Sequence, residues 1–501
     1  MYKVIKRDGS ISEFKLDKII DAITKAFIAT NIEYSKDVID VLALKVTADF
    51  ASKIVDHSIA VEDIQDSVES VLGFCGYGNV AKKYILYRKN REKKRNMKSS
   101  VEQFKRIVNE YFSDSSCINL STGGLSDYNA KLIVHNYWMN DVFTNDVVTA
   151  IEKGYLEVKN LDTLSFNQAC FNLETLMNLG LGIEHQVFAK PAKHVDSFLH
   201  QLINFINIVQ YEWNQPLIFK HFDRYLAAFV KKDQVSKETL KKHLEMFIFG
   251  INYPTYYGIK HPKCILQFDV TVDTTLEKKK CMIAQETMAF TYQDLQAEMD
   301  CIHEVLLEIL LEKDGMGSCF KNPVLVYPMQ SFPLSDAVYR FAMDHSNQVI
   351  FQKEEVVKGQ LVEVIVNTDE QVSLYTELAI KLIEDRKAVI QKLYDECLYP
   401  YSYKYLDCID YESNIIFHKE IKQEVLQSLQ ANTSSHIRFI QRVHNENINA
   451  LDLLEAYKDH PYVDCIAIPI LEKGMQLKSF KAFVEVLQTQ YPYKAYRFIK
   501  K

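Results

Sequence analysis

The sequence predicts an α/β protein of at least two domains, a small α+β unit followed by a larger α/β domain. Three observations point that way. At 501 residues the chain exceeds what one ordinary core holds. A turn signal, Asp8-Gly9-Ser10, joins two short strand-like runs near the start and is followed by four helix-patterned stretches. Beyond about residue 103, helical periodicity alternates with short apolar runs of strand character.

Residues 2–7 and 11–14 read as a hairpin around Asp8-Gly9-Ser10. From Asp17, Ile19, Ile20, Ile23, Ala26 and Phe27 recur at helical spacing. Further helices are expected at 36–55 and 61–74, and a fourth from Asn79 carries Val80, Tyr84, Ile85 and Tyr87. Residues 1–92 thus form a hairpin covered by four helices. The tract 89–100, KNREKKRNMKSS, is the most polar in the chain. It reads as a solvated helix end running into a linker, with a basic nucleic-acid patch as the alternative, and 93–115 is assigned as basic linker and helix.

Helices follow at 103–113, within 126–153, and at 172–180, 194–212, 219–230, 236–250, 294–313, 333–345 and 373–396. Strand-like runs lie between them at 264–272, 323–327 and 361–366. These elements assign one α/β domain to 116–420 and a C-terminal α/β extension to 421–501, with strand candidates at 436–442 and 462–470; closure of the same domain by these last 80 residues is the alternative.

Hydrophobic residues make up 48% and charged residues 25%, the profile of a globular chain, and a net charge of -7 excludes nucleic-acid binding by bulk charge. The ten cysteines contain no Cys-x-x-Cys pair, which argues against a zinc ribbon and a disulfide framework. Lys3, Lys6, Arg7 and Asp8 interrupt any leader-like apolar run, and no stretch of about 20 apolar residues is present. The expected compartment is the cytoplasm, with no membrane partner.

The opening run VIKRDGSISEFKLDKI sets Lys6 and Arg7 beside a turn and Lys18 at the mouth of a helix. Cations there, with the positive end of a helix dipole, suit a small anion. Val4, Ile19, Val61 and Ile64 can wall a flat base, and Arg88 on the fourth helix can return to the same place. The residues alone also fit ordinary solvated lysines.

The whole pattern carries more. Val-x-Lys-Arg-Asp-Gly, Phe14, Leu16-Asp17-Lys18-Ile19, Ala22, Ala26, Val61-Glu62-Asp63-Ile64 and Val80-Ala81-Lys82-x-Tyr84-x-x-Tyr87-Arg88 together resemble the ATP-cone. That is the regulatory adenine-nucleotide domain found on many ribonucleotide reductases and their transcriptional repressor. The resemblance covers residues 2–92 in register. It implies ATP or dATP, with Mg as a companion ion, bound between hairpin and helices. Lys6, Arg7, Lys18 and Arg88 would contact phosphates; Val4, Ile19, Val61 and Ile64 would contact base and sugar. Val61 stands where many cones carry a hydroxyl. A cone kept only for folding or dimerisation is the alternative.

Downstream, residues 125–181 resemble the anaerobic, glycyl-radical ribonucleoside-triphosphate reductases. Gly154, Leu161 and Asp162 keep that family's acidic segment, while its histidines have become Val158 or Lys159. Cys170 falls at the family's reductant-side cysteine, here expected to be vestigial. Pro191-Ala-Lys193, Phe222-Asp223, Asn252, Phe268, Asn322–Pro328 and Ala337–Met343 continue the register to about residue 396. The resemblance implies a shortened form of the family's ten-stranded α/β barrel.

The family's chemistry needs three things that the sequence does not offer. The last glycine, Gly474 in Leu471–Leu477, does not match the Arg-Val-x-Gly-Tyr radical motif. No four-cysteine zinc module precedes it, so neither zinc nor a glycyl radical is expected. Residues 350–361, at the place of the thiyl loop, contain no cysteine; Cys319 and Cys397 fall elsewhere. His194 with His200, and Cys301 with His303, are spaced so as to diverge on a helix rather than share a metal. The expected function is a catalytically inactive adenine-nucleotide sensor acting through oligomer changes or a reductase-type partner. The alternatives are an active reductase component with its radical supplied in trans, and a nucleotide-responsive DNA-binding regulator.

Overall fold

The computed structural model describes residues 2–6, 10–30, 32–55, 57–113, 121–183, 187–214, 216–255, 261–329, 334–352, 360–368, 370–396, 404–407, 412–419, 421–433, 436–441, 450–457, 462–463, 465–471, 475–491 and 495–500. The chain divides into two compact units, Met1–Cys117 and Ile118–Lys501.

The first unit contains β1 (Lys3–Ile5), β2 (Ile11–Glu13), α1 (Asp17–Ile28), α2 (Lys36–Phe50), β3 (Ser58–Ala60), α3 (Val61–Phe74) and α4 (Gly78–Ser113). β1 is the middle strand of three, antiparallel to β2 and parallel to β3. The helices close over the sheet because each carries one apolar stripe. α1 buries Ile19, Ile23, Ala26 and Phe27, α2 buries Ile39, Leu42, Ala43, Val46 and Phe50, and α3 buries Ile64, Val68, Val71 and Leu72. With Val4, Ile59, Val80 and Tyr84 they form a core belonging to this unit alone.

The linker expected from residue 93 is not there. α4 runs unbroken for 36 residues, straight through the polar tract. After Gly78 the helix contains neither Gly nor Pro, and its Lys, Arg, Glu, Gln and Met are good helix formers, so polarity there does not break it.

The second unit opens with α5 (Thr122–Tyr137), which passes through a π-turn (Trp138–Val142) towards α6 (Asn145–Glu152). β4 (Leu156–Val158), β5 (Ala169–Phe171), α7 (Leu173–Leu179), β6 (Leu181–Ile183), β7 (Val187–Ala189), α8 (Val195–Val209), β8 (Leu217–Phe219), α9 (Phe222–Asp233) and α10 (Lys237–Asn252) follow. Next come β9 (Cys264–Gln267), β10 (Lys280–Ile283), β11 (Glu286–Thr291), α11 (Gln296–Glu312), β12 (Val324–Pro328), α12 (Asp336–Asp344), β13 (Val349–Gln352), β14 (Gln360–Val366) and α13 (Val372–Glu396). The chain continues through β15 (Glu412–Phe417), α14 (Gln423–Ala431), β16 (Ile437–Gln441), α15 (Ala450–Ala456), β17 (Cys465–Leu471), α16 (Leu477–Gln490) and β18 (Ala495–Lys500).

Its strands form a seven-stranded sheet, β17-β18-β13-β12-β9-β8-β5, and a four-stranded sheet, β16-β15-β14-β4. In the larger sheet β5, β8, β9, β12 and β13 are all parallel, and β18 turns antiparallel against β13. Helical connections between parallel neighbours are the expected consequence. Residues 421–501 supply β16, β17 and β18 to these sheets, so the tail is built into the domain rather than added to it. β9 is shorter than the run 264–272 suggested: it ends at Gln267, the amides of Asp269 and Val270 turn to Asp223, and Val270 adopts a positive φ of 64°.

Candidate functional site

The cone places the expected nucleotide residues in three settings. Val4, Ile19 and Ile64 are buried together in the core, and Val61, the first residue of α3, packs half-buried against them. Lys6 follows β1 at the hairpin, where its amide donates to the Ser10 carbonyl at 2.8 Å. Strand alternation continued past Ile5 puts Lys6 on the side of Val4. Lys18 lies exposed in the first turn of α1. Among the described residues neither ammonium has an ion-pair partner. Arg7 lies outside the described residues.

Two features differ from the sequence expectation. The first amides of α1 are already used: Lys18 N donates to Lys15 O at 3.2 Å, and Ile19 N and Ile20 N donate to Leu16 O at 2.9 and 3.1 Å. Leu16 is itself in the α region, so the helix tightens at its start instead of presenting an open row of donors. Arg88 is also engaged. Its Nη1 lies 2.6 Å from Asp66 Oδ1 and 3.0 Å from Glu69 Oε1, both on α3. Burial opposes the charge, but the two carboxylates outweigh it and hold the guanidinium above its ordinary pKa. Among the described residues no hydrogen bond or ion pair joins Arg88 to Lys6 or Lys18.

In the second unit, Cys170 is fully buried on β5. Its side chain joins Ile218, Ile265, Val326, Ile350 and Ala495 in an apolar layer on one face of the seven-stranded sheet, apart from the main core. One step further along the strands this face turns polar. Lys220 on the Ile218 side is buried and pairs with Asp407 at 2.7 Å. Gln267 and Gln352 follow Ile265 and Ile350 by two, hence on the same face, and each has a buried Oε1 with no hydrogen-bond partner among the described residues. Such acceptors can serve a donor-bearing ligand. Sequence reading missed Lys220, Gln267 and Gln352; the signal was a polar residue two places after an apolar one at three strand ends.

Two of the three histidines singled out earlier, His194 and His303, are held by carboxylates. His303 Nε2 donates to Asp223 Oδ2 at 2.9 Å, deep in the unit, and His194 Nδ1 meets Asp233 Oδ1 at 3.0 Å. Asp223 also accepts from the amides of Asp269 and Val270.

Both parts of the chain match known families. The ATP cone domain matches residues 2–93, and the anaerobic ribonucleoside-triphosphate reductase matches residues 114–354. The anaerobic ribonucleoside-triphosphate reductase of Haemophilus influenzae is 25% identical over 319 residues, 60% of this chain and 40% of that protein. The ribonucleoside-diphosphate reductase subunit alpha of Chlamydia pneumoniae is 39% identical over 98 residues, 18% of this chain and 9% of that protein. The anaerobic ribonucleotide reductase of Thermotoga maritima, solved in complex with dATP and CTP, superposes with a TM-score of 0.59. That superposition has 13% identity and covers 81% of this chain and 91% of that one, so it speaks to the fold. The chain spans less than half the length of the curated relatives it matches. An effector-type domain therefore stands in front of a reductase-type fold. The chain carries an ATP-cone domain at its N-terminus, followed by an anaerobic ribonucleoside-triphosphate reductase domain over residues 114–354. Among the described residues no helix is long and apolar enough to cross a membrane.

Proposed function

We propose that the cone binds ATP or dATP and that this chain reports adenine-nucleotide state through its own assembly or a reductase-type partner. One observation carries the reading: the ATP-cone match spans residues 2–93 as a whole, with Lys6 and Lys18 exposed beside the apolar wall of Val4, Ile19, Val61 and Ile64. A switch needs different affinities for two states, and a charged nucleotide supplies them when it orders the hairpin, α1 and α4 differently from the free protein. Mg would travel with the nucleotide rather than on a protein cage.

Catalysis by the family's radical route is not part of this reading. The segment between β13 and β14, residues 353–359, offers no cysteine to carry a thiyl radical. Titrating ATP and dATP calorimetrically into the full chain and into Lys6→Ala/Arg7→Ala, with mass measured in parallel, tests the proposal. Micromolar binding that is lost in the variant, together with a mass change, supports it. No heat and no mass change with either nucleotide ends it.

A second reading is favoured by Cys170, which stays on β5 and faces the layer next to Gln267 and Gln352. It makes the chain a reductase component with its radical supplied in trans. Conversion of ribonucleoside triphosphates to deoxynucleotides in the presence of a radical-generating protein, abolished by Cys170→Ala, would establish it.

A further inference from the structure

We propose that Asp66 and Glu69 form a carboxylate latch on Arg88, which a nucleotide's polyphosphate must open before the cone responds. The latch then sets the nucleotide concentration at which the response occurs. This rests on the nucleotide reading above.

One guanidinium nitrogen bridges both carboxylates, at 2.6 and 3.0 Å. Asp66 and Glu69 stand three apart on α3 and so share a face of that helix. The Arg88 side chain is only 21% exposed, Glu69 25%, and Asp66 57%. The cation is thus sheltered while one of its partners is open to water, the arrangement in which an incoming anion can replace a carboxylate. The group of three carries one positive and two negative charges. That residual charge repels a phosphate until the guanidinium turns away from α3. A triphosphate offers several charged oxygens and forms charge-assisted bonds as strong as those it replaces. Carboxylate and phosphate therefore compete for the same fork of donors.

The exchange has a mechanical result. Through these two ion pairs Arg88 ties α4 to α3. α4 continues without a break to Ser113, about 38 Å beyond Arg88 at 1.5 Å per residue. Val80, Ala81 and Tyr84 keep the start of α4 in the core, so releasing Arg88 from α3 loosens the helix from that turn onward and carries the change towards the end of the unit. Apparent affinity falls by the fraction of molecules with the latch open, so weakening the latch strengthens binding without adding any contact.

The test titrates ATP into the full-length chain, Asp66→Ala/Glu69→Ala, Asp66→Asn/Glu69→Gln, Arg88→Ala, and the combination of Arg88→Ala with Asp66→Ala/Glu69→Ala. Alanine is the best helix former, so α3 tolerates the replacement, and the amide pair removes charge with little change of shape. The expected result is binding tighter than wild type by about fivefold or more in both carboxylate variants. In the Arg88→Ala background the same change should move affinity less than twofold. Wild-type binding with unchanged or weaker binding in the carboxylate variants overturns the latch and leaves the nucleotide reading standing. Binding only in the carboxylate variants supports a latch that is closed at rest. Binding in none of the proteins removes both proposals.

Discussion

Asp223 is fully buried yet accepts hydrogen bonds from the amides of Arg224, Asp269 and Val270 and from His303 Nε2. Burial works against its charge, but the bond and attraction from His303 and the amides of Asp269 and Val270 prevail, so its pKa is depressed. A depressed carboxylate contributes stability that is fully present above its unfolded value, near 3.9, and is lost as pH falls through its folded value. It also holds Val270 at a positive φ that a β-branched residue adopts only under constraint. Asp223→Ala should cost about 3–5 kcal/mol, because His303 and three amides lose their partner in the interior. Denaturant unfolding between pH 2.5 and 7 checks this. The gap between wild type and variant should be widest near neutrality and narrow below about pH 4. A constant gap would mean that the carboxylate's charge is irrelevant. The sequence spacing set His303 apart from a metal pair with Cys301, but its partner Asp223 lies 80 residues earlier, and no local pattern connects them. Arg88 is similar: its position was legible, while its grip by Asp66 and Glu69 depends on how α3 and α4 pack.

At the scale of elements, local signals served well where one helix or turn decides its own shape. The pairing of β1 with β2 was readable from a turn signal, and the stripe of α1 and the helices later seen as α8, α10 and α11 from periodicity. They failed at β9, where tertiary hydrogen bonds end the strand, and at α4, where high polarity suggested a linker. A continuous α4 makes a definite prediction. Asn96→Pro removes one helical hydrogen bond and places a ring against the preceding turn, at a cost of roughly 3 kcal/mol in a helix interior. Amide hydrogen exchange over residues 91–110 should therefore speed up markedly in the variant. Unchanged exchange, already fast in the wild type, would restore the linker.

Two cores organise the molecule, one of residues from Val4 to Tyr84 and one spread from Trp138 to Tyr496. Each unit buries enough apolar surface to unfold as a unit, so heating should give more than one transition and a single melting temperature would not describe the chain. A nucleotide held by the cone stabilises the state that binds it by RT ln(1 + [L]/Kd), about 2.7 kcal/mol at a hundredfold excess over Kd. That sum enters the cone directly. It reaches the reductase-type domain only if the cone's bound form differs in what it asks of that domain, since a ligand shifts only equilibria for which it has a differential affinity. Differential scanning calorimetry with and without ATP separates these cases. The transition lost or shifted in Lys6→Ala/Arg7→Ala identifies the cone, and ATP should raise it by several degrees in the wild type alone. Movement of the second transition as well would measure the coupling that a sensor needs. Movement of the first alone would describe a cone that binds its nucleotide and passes nothing on, and the regulatory output would then have to come from the cone's own surface.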